Sequence, residues 1–103
     1  MRATPEAGAL VFDHGGRRIG VAYANPVTGM TTAVGVVPAR EGEPDWPRIE
    51  QLVAEWQPGC LVVGVPYNGG GGSEAAAEGF AAALAGRCRL PVHRVDERLS
   101  SAE

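Results

Sequence analysis

One stretch constrains this chain more than any other: Val11-Phe12-Asp13-His14-Gly15-Gly16-Arg17-Arg18-Ile19-Gly20-Val21-Ala22. Two apolar runs separated by a glycine turn predict a β-hairpin, with strands over residues 9–13 and 17–24. Asp13 is one of only three aspartates in the 103 residues and closes the first strand. Charges avoid the mouth of a buried hairpin unless they are paired or metal-bound. An Asx-turn, in which the side chain satisfies backbone N–H groups, is one reading of Asp13. A carboxylate held out for a ligand is the other. A second acidic motif, Val95-Asp96-Glu97-Arg98-Leu99, tilts the balance to the ligand.

The rest of the chain extends the hairpin into an α/β domain. Asn25-Pro26 and Thr28-Gly29 mark a turn, and residues 30–37 predict a third strand ended by Pro38, followed by a polar loop over residues 40–44. Asp45 is a candidate N-cap, with Pro47 in the first turn where a missing N–H costs nothing. Ile49, Leu52, Val53 and Trp56 then repeat at helical spacing until Pro58-Gly59. Cys60-Leu61-Val62-Val63-Gly64-Val65 is a continuous apolar run, which predicts a strand buried on both faces with the Cys60 thiol inside. Four glycines, 69–72, precede Ser73, the expected cap of a second helix with an apolar stripe of Ala76, Phe80, Ala83 and Leu84, closed by Gly86. Residues 90–95 predict a fifth strand, and Ser100-Ser101-Ala102-Glu103 has the form of a capping box opening a third helix. The order β-β-β-α-β-α-β predicts a mixed five-stranded sheet flanked by helices, in a single domain over residues 1–103.

Composition narrows the functional classes. The net charge of −3 argues against a protein that coats nucleic acid nonspecifically, while leaving room for a local basic rim. No apolar run approaches the roughly 20 residues of a membrane span, and residues 1–8 carry no signal-peptide pattern, so a cytoplasmic protein is expected. Cys60 and Cys88 have no zinc-ligand spacing and read as free thiols, with Cys88 the more reactive. In this topology the C-terminal ends of the first, fourth and fifth strands lie side by side, where open α/β sheets bind ligands. That edge would gather Asp13, Asn68, Asp96 and Glu97. Hard oxygen ligands without a thiol or imidazole cluster select Mg²⁺ or Mn²⁺, the ions of phosphoryl transfer.

Four motifs in order carry a family resemblance: Asp-x-Gly-x-x-Arg-Ile-Gly-Val-Ala at 13–22, Gly-Glu-Pro-Asp-Trp at 42–46, Val-Gly-x-Pro-x-Asn at 63–68 and Asp-Glu-Arg-Leu-Ser at 96–100. Together they resemble the YqgF (RuvX) family of ribonuclease-H-like proteins over nearly the whole chain. The resemblance implies a ribonuclease-H-like fold and a metal-dependent endonuclease. Its substrate would be precursor 16S rRNA, matured at its 5′ end, or a Holliday junction in branched DNA. It assigns Asp13 and Glu97 as catalytic and metal-binding carboxylates, with Asp96 the alternative to Glu97. Arg17, Arg18, Asn68 and Arg98 become nucleic-acid contacts.

Three departures qualify the match. His14 replaces the family's usual aromatic or apolar residue and is expected as an exposed turn imidazole. Residues 69–71 are Gly-Gly-Gly in place of Met-Asp-Gly. The family's later segment, with a third catalytic aspartate, has no counterpart, so a missing C-terminal helix is expected, with an open sheet face and a tendency to form a homodimer. Two alternatives follow: a catalytically incomplete nucleic-acid-binding or interaction module, and a phosphotransfer lobe of the actin-like or sugar-kinase type.

Overall fold

The computed structural model describes residues 7–15, 17–40, 43–65 and 72–96. Strands β1 (Ala9–His14) and β2 (Arg18–Ala24) form the expected antiparallel hairpin, with Phe12 opposite Val21 and Asp13 opposite Gly20. The Gly15 N–H donates to the Arg18 carbonyl at 2.8 Å. A Cβ on Gly15 would lie 2.9 Å from that oxygen, so this tight closure needs glycine. At the other end of β2, the Asn25 Oδ1 accepts from the Val27 and Thr28 N–H groups at 2.9 and 3.3 Å, and Gly29 takes a φ of 75°.

Strand β3 (Thr31–Arg40) does not stop at Pro38 as expected. The Ala39 N–H donates to the Arg17 carbonyl, while the Pro38 carbonyl points the other way and accepts from the Asp45 N–H at 3.1 Å. The proline nitrogen therefore faces away from β2 and removes no ladder bond. A further strand, β4 (Glu43–Pro44), pairs with Ala39 and Arg40 where a loop was expected, so the sheet has six strands rather than five. Two residues are too few to show alternation, which is why sequence periodicity misses them.

Helix α1 (Trp46–Trp56) starts as its sequence requires: the Asp45 carboxylate accepts from the Arg48 N–H, and Pro47 sits in the first turn. It buries Trp46, Ile49 and Leu52 and ends on Gln57 in the left-handed region. Strand β5 (Cys60–Val65) runs parallel to β1, and helix α2 (Gly72–Cys88) leads to β6 (Val92–Asp96), parallel to β5. The sheet order is β4-β3-β2-β1-β5-β6.

Both helices pack on one face of this sheet. That face carries Leu10, Phe12, Ile19, Val21, Leu61, Val63 and Val65, which form one cluster with the α1 and α2 side chains. Phe80 is its hub, edge-on to Phe12 at 5.7 Å and stacked on Trp46 at 5.6 Å between ring centroids. Each such fully buried side chain contributes about 1.5–3 kcal/mol.

Three expectations change. In β5 only the residues facing the helices are fully buried; Cys60 and Val62, on the opposite face, are half-buried, because α1 and α2 cover the same side. Cys60 is thus half-buried like Cys88, whose thiol is itself held above its ordinary pKa by burial and then by Glu50. In α2 the buried stripe is Ala77, Phe80, Ala81 and Leu84, with Ala76 exposed. Alanines carry too little hydrophobic contrast to set the phase of a helix. Finally, Gly86 lies inside α2, and the turn out of it is made by Arg89 at a φ of 58°.

Candidate functional site

Strand alternation puts Asp13 on the face that α1 and α2 leave alone, one residue after the fully buried Phe12. Its carboxylate is exposed and makes no ion pair with a described residue. The expected edge exists: β1, β5 and β6 are adjacent and parallel, and their C-terminal ends lie together. Asp13 is opposite Gly20 on β2 and Gly64 on β5, and Gly64 is opposite Val95 on β6. The carboxylate is therefore flanked by a glycine on each neighbouring strand. A Cβ on Gly20 would meet only the Asp13 Cβ, at 3.8 Å, so packing does not demand glycine there. The effect is a shallow, side-chain-free floor on both sides of Asp13, of the kind that lets another backbone approach a sheet closely.

Arg18 shares this face by alternation with Gly20, and Arg17 stands in the turn beside it; both are exposed. Arg40, at the end of β3, joins them on the same face and at the same end of the sheet, since its neighbour Ala39 is buried on the helix side. The sequence reading missed Arg40 because it placed this residue in a loop. It also gave Gly20 and Gly64 no role, although both lie inside quoted motifs; a glycine at mid-strand was the available signal.

Asp96 ends β6 and is paired with Val65. Strands β1 and β6 are two strand spacings apart, roughly 10 Å. Asn68, Glu97 and Arg98 lie outside the described residues, as do the glycines 69–71 and the capping box at 100–103. Among the described residues no group of three or more His, Cys, Asp or Glu side chains gathers as a metal-ligand set. At that edge Asp13 supplies a hard, solvent-facing oxygen donor of the type Mg²⁺ and Mn²⁺ prefer.

His14 is not the exposed turn residue expected. It belongs to β1, and its ring lies 5.3 Å from that of Phe80 on the helix side. Burial pushes its imidazole below the ordinary pKa of 6.5, outweighing its own backbone hydrogen bond and the nearby Asp13 charge, which both act upward. No described helix is long and apolar enough to cross a membrane.

Residues 7–103 match the model of the RuvX family, described as Holliday junction resolvase. The chain is 50% identical over 97 residues to a protein of Azotobacter vinelandii, covering 91% of this chain and 68% of that one. It is 47% identical to a Pseudomonas putida protein (91% and 69% covered) and 45% identical to one from Coxiella burnetii (92% and 70% covered). All three bear the name "Putative pre-16S rRNA nuclease". Among solved structures, T. thermophilus RuvC in complex with Holliday junction substrate superposes with a TM-score of 0.63. The identity there is 15%, over 89% of this chain and 66% of that one, a likeness of fold. The chain thus spans about two thirds of the length of these proteins.

Proposed function

Because this chain belongs to the RuvX family, we propose that it is a nuclease hydrolysing phosphodiesters of precursor 16S rRNA, with Asp13 as its first catalytic carboxylate. One observation carries the reading: an exposed carboxylate, without an ion pair among the described residues, stands on a glycine floor at the joined C-terminal ends of three parallel strands. The reaction is displacement at phosphorus, in which water adds and the 3′ oxygen departs with a proton.

Glu97 is the better candidate for the second carboxylate. It is the residue that the family motif Asp-Glu-Arg-Leu-Ser at 96–100 puts in that role, with Asp96, at the end of β6, the alternative. Asp13 and Glu97 would hold Mg²⁺ or Mn²⁺. When bound, such an ion lowers the pKa of a water ligand and offsets charge gathering on the phosphate. The floor of Gly20 and Gly64 lets the sugar-phosphate backbone lie close to the sheet, and Arg17, Arg18 and Arg40 attract its phosphates from the side. Asn68 and Arg98 are further contacts of the same kind. An rRNA precursor as substrate supports a cytoplasmic site of action.

A second substrate, branched DNA, is favoured by the family description and by the fold shared with RuvC. Cleavage of a labelled 16S precursor and of a four-way junction by the same preparation separates the two. Precursor cleavage that needs Mg²⁺ and is lost in Asp13→Asn is the expected result. Cleavage of the precursor at an unchanged rate by Asp13→Asn would overturn the site.

A further inference from the structure

On the helix side, directly behind Asp13, a cavity of about 250 Å³ opens between the end of β1, strand β4 and helices α1 and α2. His14, Glu43, Trp46, Gly79, Phe80 and Arg87 line it. Its floor is aromatic, with Phe80 in ring contact with both His14 and Trp46. Its polar groups are a carboxylate and a guanidinium that do not pair with each other. Glu43 accepts the Trp46 indole N–H at 3.1 Å through Oε2 and has no ion pair among the described residues. Arg87 lies 4.5 Å above the Trp46 ring and gives Nη1 to Glu50 at 3.3 Å, which leaves donors of its planar fork uncommitted.

We propose that this cavity receives one unpaired guanine of the nucleic-acid substrate, read by Glu43 and Arg87 and stacked against the His14 ring. This rests on the nuclease reading of Asp13. The volume suits a single base, falling just below the ~300 Å³ where pockets for larger ligands begin. A carboxylate on the wall repels phosphate, so the cavity takes a base edge and not the backbone. Guanine alone offers two adjacent donors, N1–H and N2–H, to a group that only accepts, together with O6 and N7 acceptors for a guanidinium. Flat partners for an unstacked base are also present, since single-stranded bases stack on His rings and Arg planes. Asp13 and His14 are consecutive at the end of β1 but face opposite sides of the sheet, so a strand whose phosphate rests at Asp13 must turn over the end of β1 to bring a neighbouring base to the His14 side. Gly79 keeps the space open: a Cβ there would meet nothing within 4 Å.

The test uses short oligouridylates carrying one central guanine, adenine or cytosine, bound in EDTA so that nothing is cleaved. Anisotropy gives affinity, and the Trp46 indole N–H and Gly79 amide resonances report the cavity. The guanine oligomer should bind about tenfold more tightly than the others and alone shift both resonances. Gly79→Leu fills the cavity and Glu43→Gln halves the acceptor while still holding the Trp46 indole; each should erase the preference, with the circular dichroism and Tm of a folded chain. Equal affinity for all bases, unshifted cavity resonances, or a preference that survives Gly79→Leu would overturn the proposal. The nuclease reading stands or falls separately on Asp13-dependent cleavage. Cleavage without guanine preference removes only the pocket, and guanine preference without cleavage removes only the nuclease.

Discussion

The two faces of this sheet are made from alternate residues of the same strands, yet they obey different rules. The helix face carries Leu10, Phe12, Val63 and Val65, all without solvent exposure, packed on α1 and α2. The opposite face carries Asp13 between two glycines, with Arg18 and Arg40 at the rim. One face gains stability from every methylene it buries. The other gives up side chains where they would be easiest to place, since glycine in a strand weakens it and an exposed carboxylate adds no packing. Such a division teaches that the site is held by its neighbours: Asp13 is positioned by the buried Phe12 before it and the half-buried His14 after it along β1, not by contacts of its own.

The sharpest way to break this comparison is to substitute adjacent residues that face opposite ways. Phe12→Ala should lower stability by about 3–5 kcal/mol, read by chemical denaturation. Asp13→Asn should move stability by no more than about 0.5 kcal/mol while slowing cleavage by on the order of 10³-fold under single-turnover conditions. A destabilised Asp13→Asn would mean that the carboxylate is structural, as in an Asx-turn.

Gly20→Val tests the floor beside Asp13. Valine favours strands by up to about 1 kcal/mol, so Tm should hold or rise, while the branched side chain obstructs the approach of a backbone and lowers kcat/KM by about tenfold. A more stable and equally active variant would show the glycine to be incidental. Arg18→Ala addresses the rim. Loss of one phosphate contact should reduce the slope of log K against log salt by about one and weaken all sequences alike. An unchanged slope would take Arg18 out of the interface.

Much of this division was legible in the sequence because alternation is a strong signal. The hairpin, its glycine turn, the capped helix behind Asp45 and the convergence of three strand ends all follow from residue order. What alternation cannot supply is which face the helices choose. The run Cys60-Leu61-Val62-Val63-Gly64-Val65 looks equally apolar on both sides, so it read as buried on both. The glycines at 20 and 64 carry meaning only once the register sets them on either side of Asp13. The phase of α2 failed for want of contrast among alanines, and β4 for want of length. Family membership disposes of the phosphotransfer alternative. The metal set was named mainly from the resemblance, and of its two carboxylates Asp13 alone lies within the described residues.

The smallest expected effect lies at the seam between the faces. His14 follows Asp13 but turns its ring to the helix side, where burial lowers its pKa. Around it stand Asp13 on its own strand, Glu43 of β4 and Arg87 of α2, the latter two lining the same cavity. Above the ordinary value of 6.5 the imidazole is neutral in folded and unfolded chains alike and pH has no leverage through it. As pH falls below that value the unfolded chain takes up a proton that the folded one resists, so the folded state loses ground. The loss continues until the pH reaches the lowered folded pKa and then levels off. Denaturation midpoints measured from neutral to mildly acid pH should therefore decline first in this window, ahead of the carboxylates. His14→Phe keeps the ring contact with Phe80 and removes the titration, so its midpoints should stay flat there. An equal decline in His14→Phe would assign the acid sensitivity to another group and leave the imidazole no more than a filler of the aromatic seam.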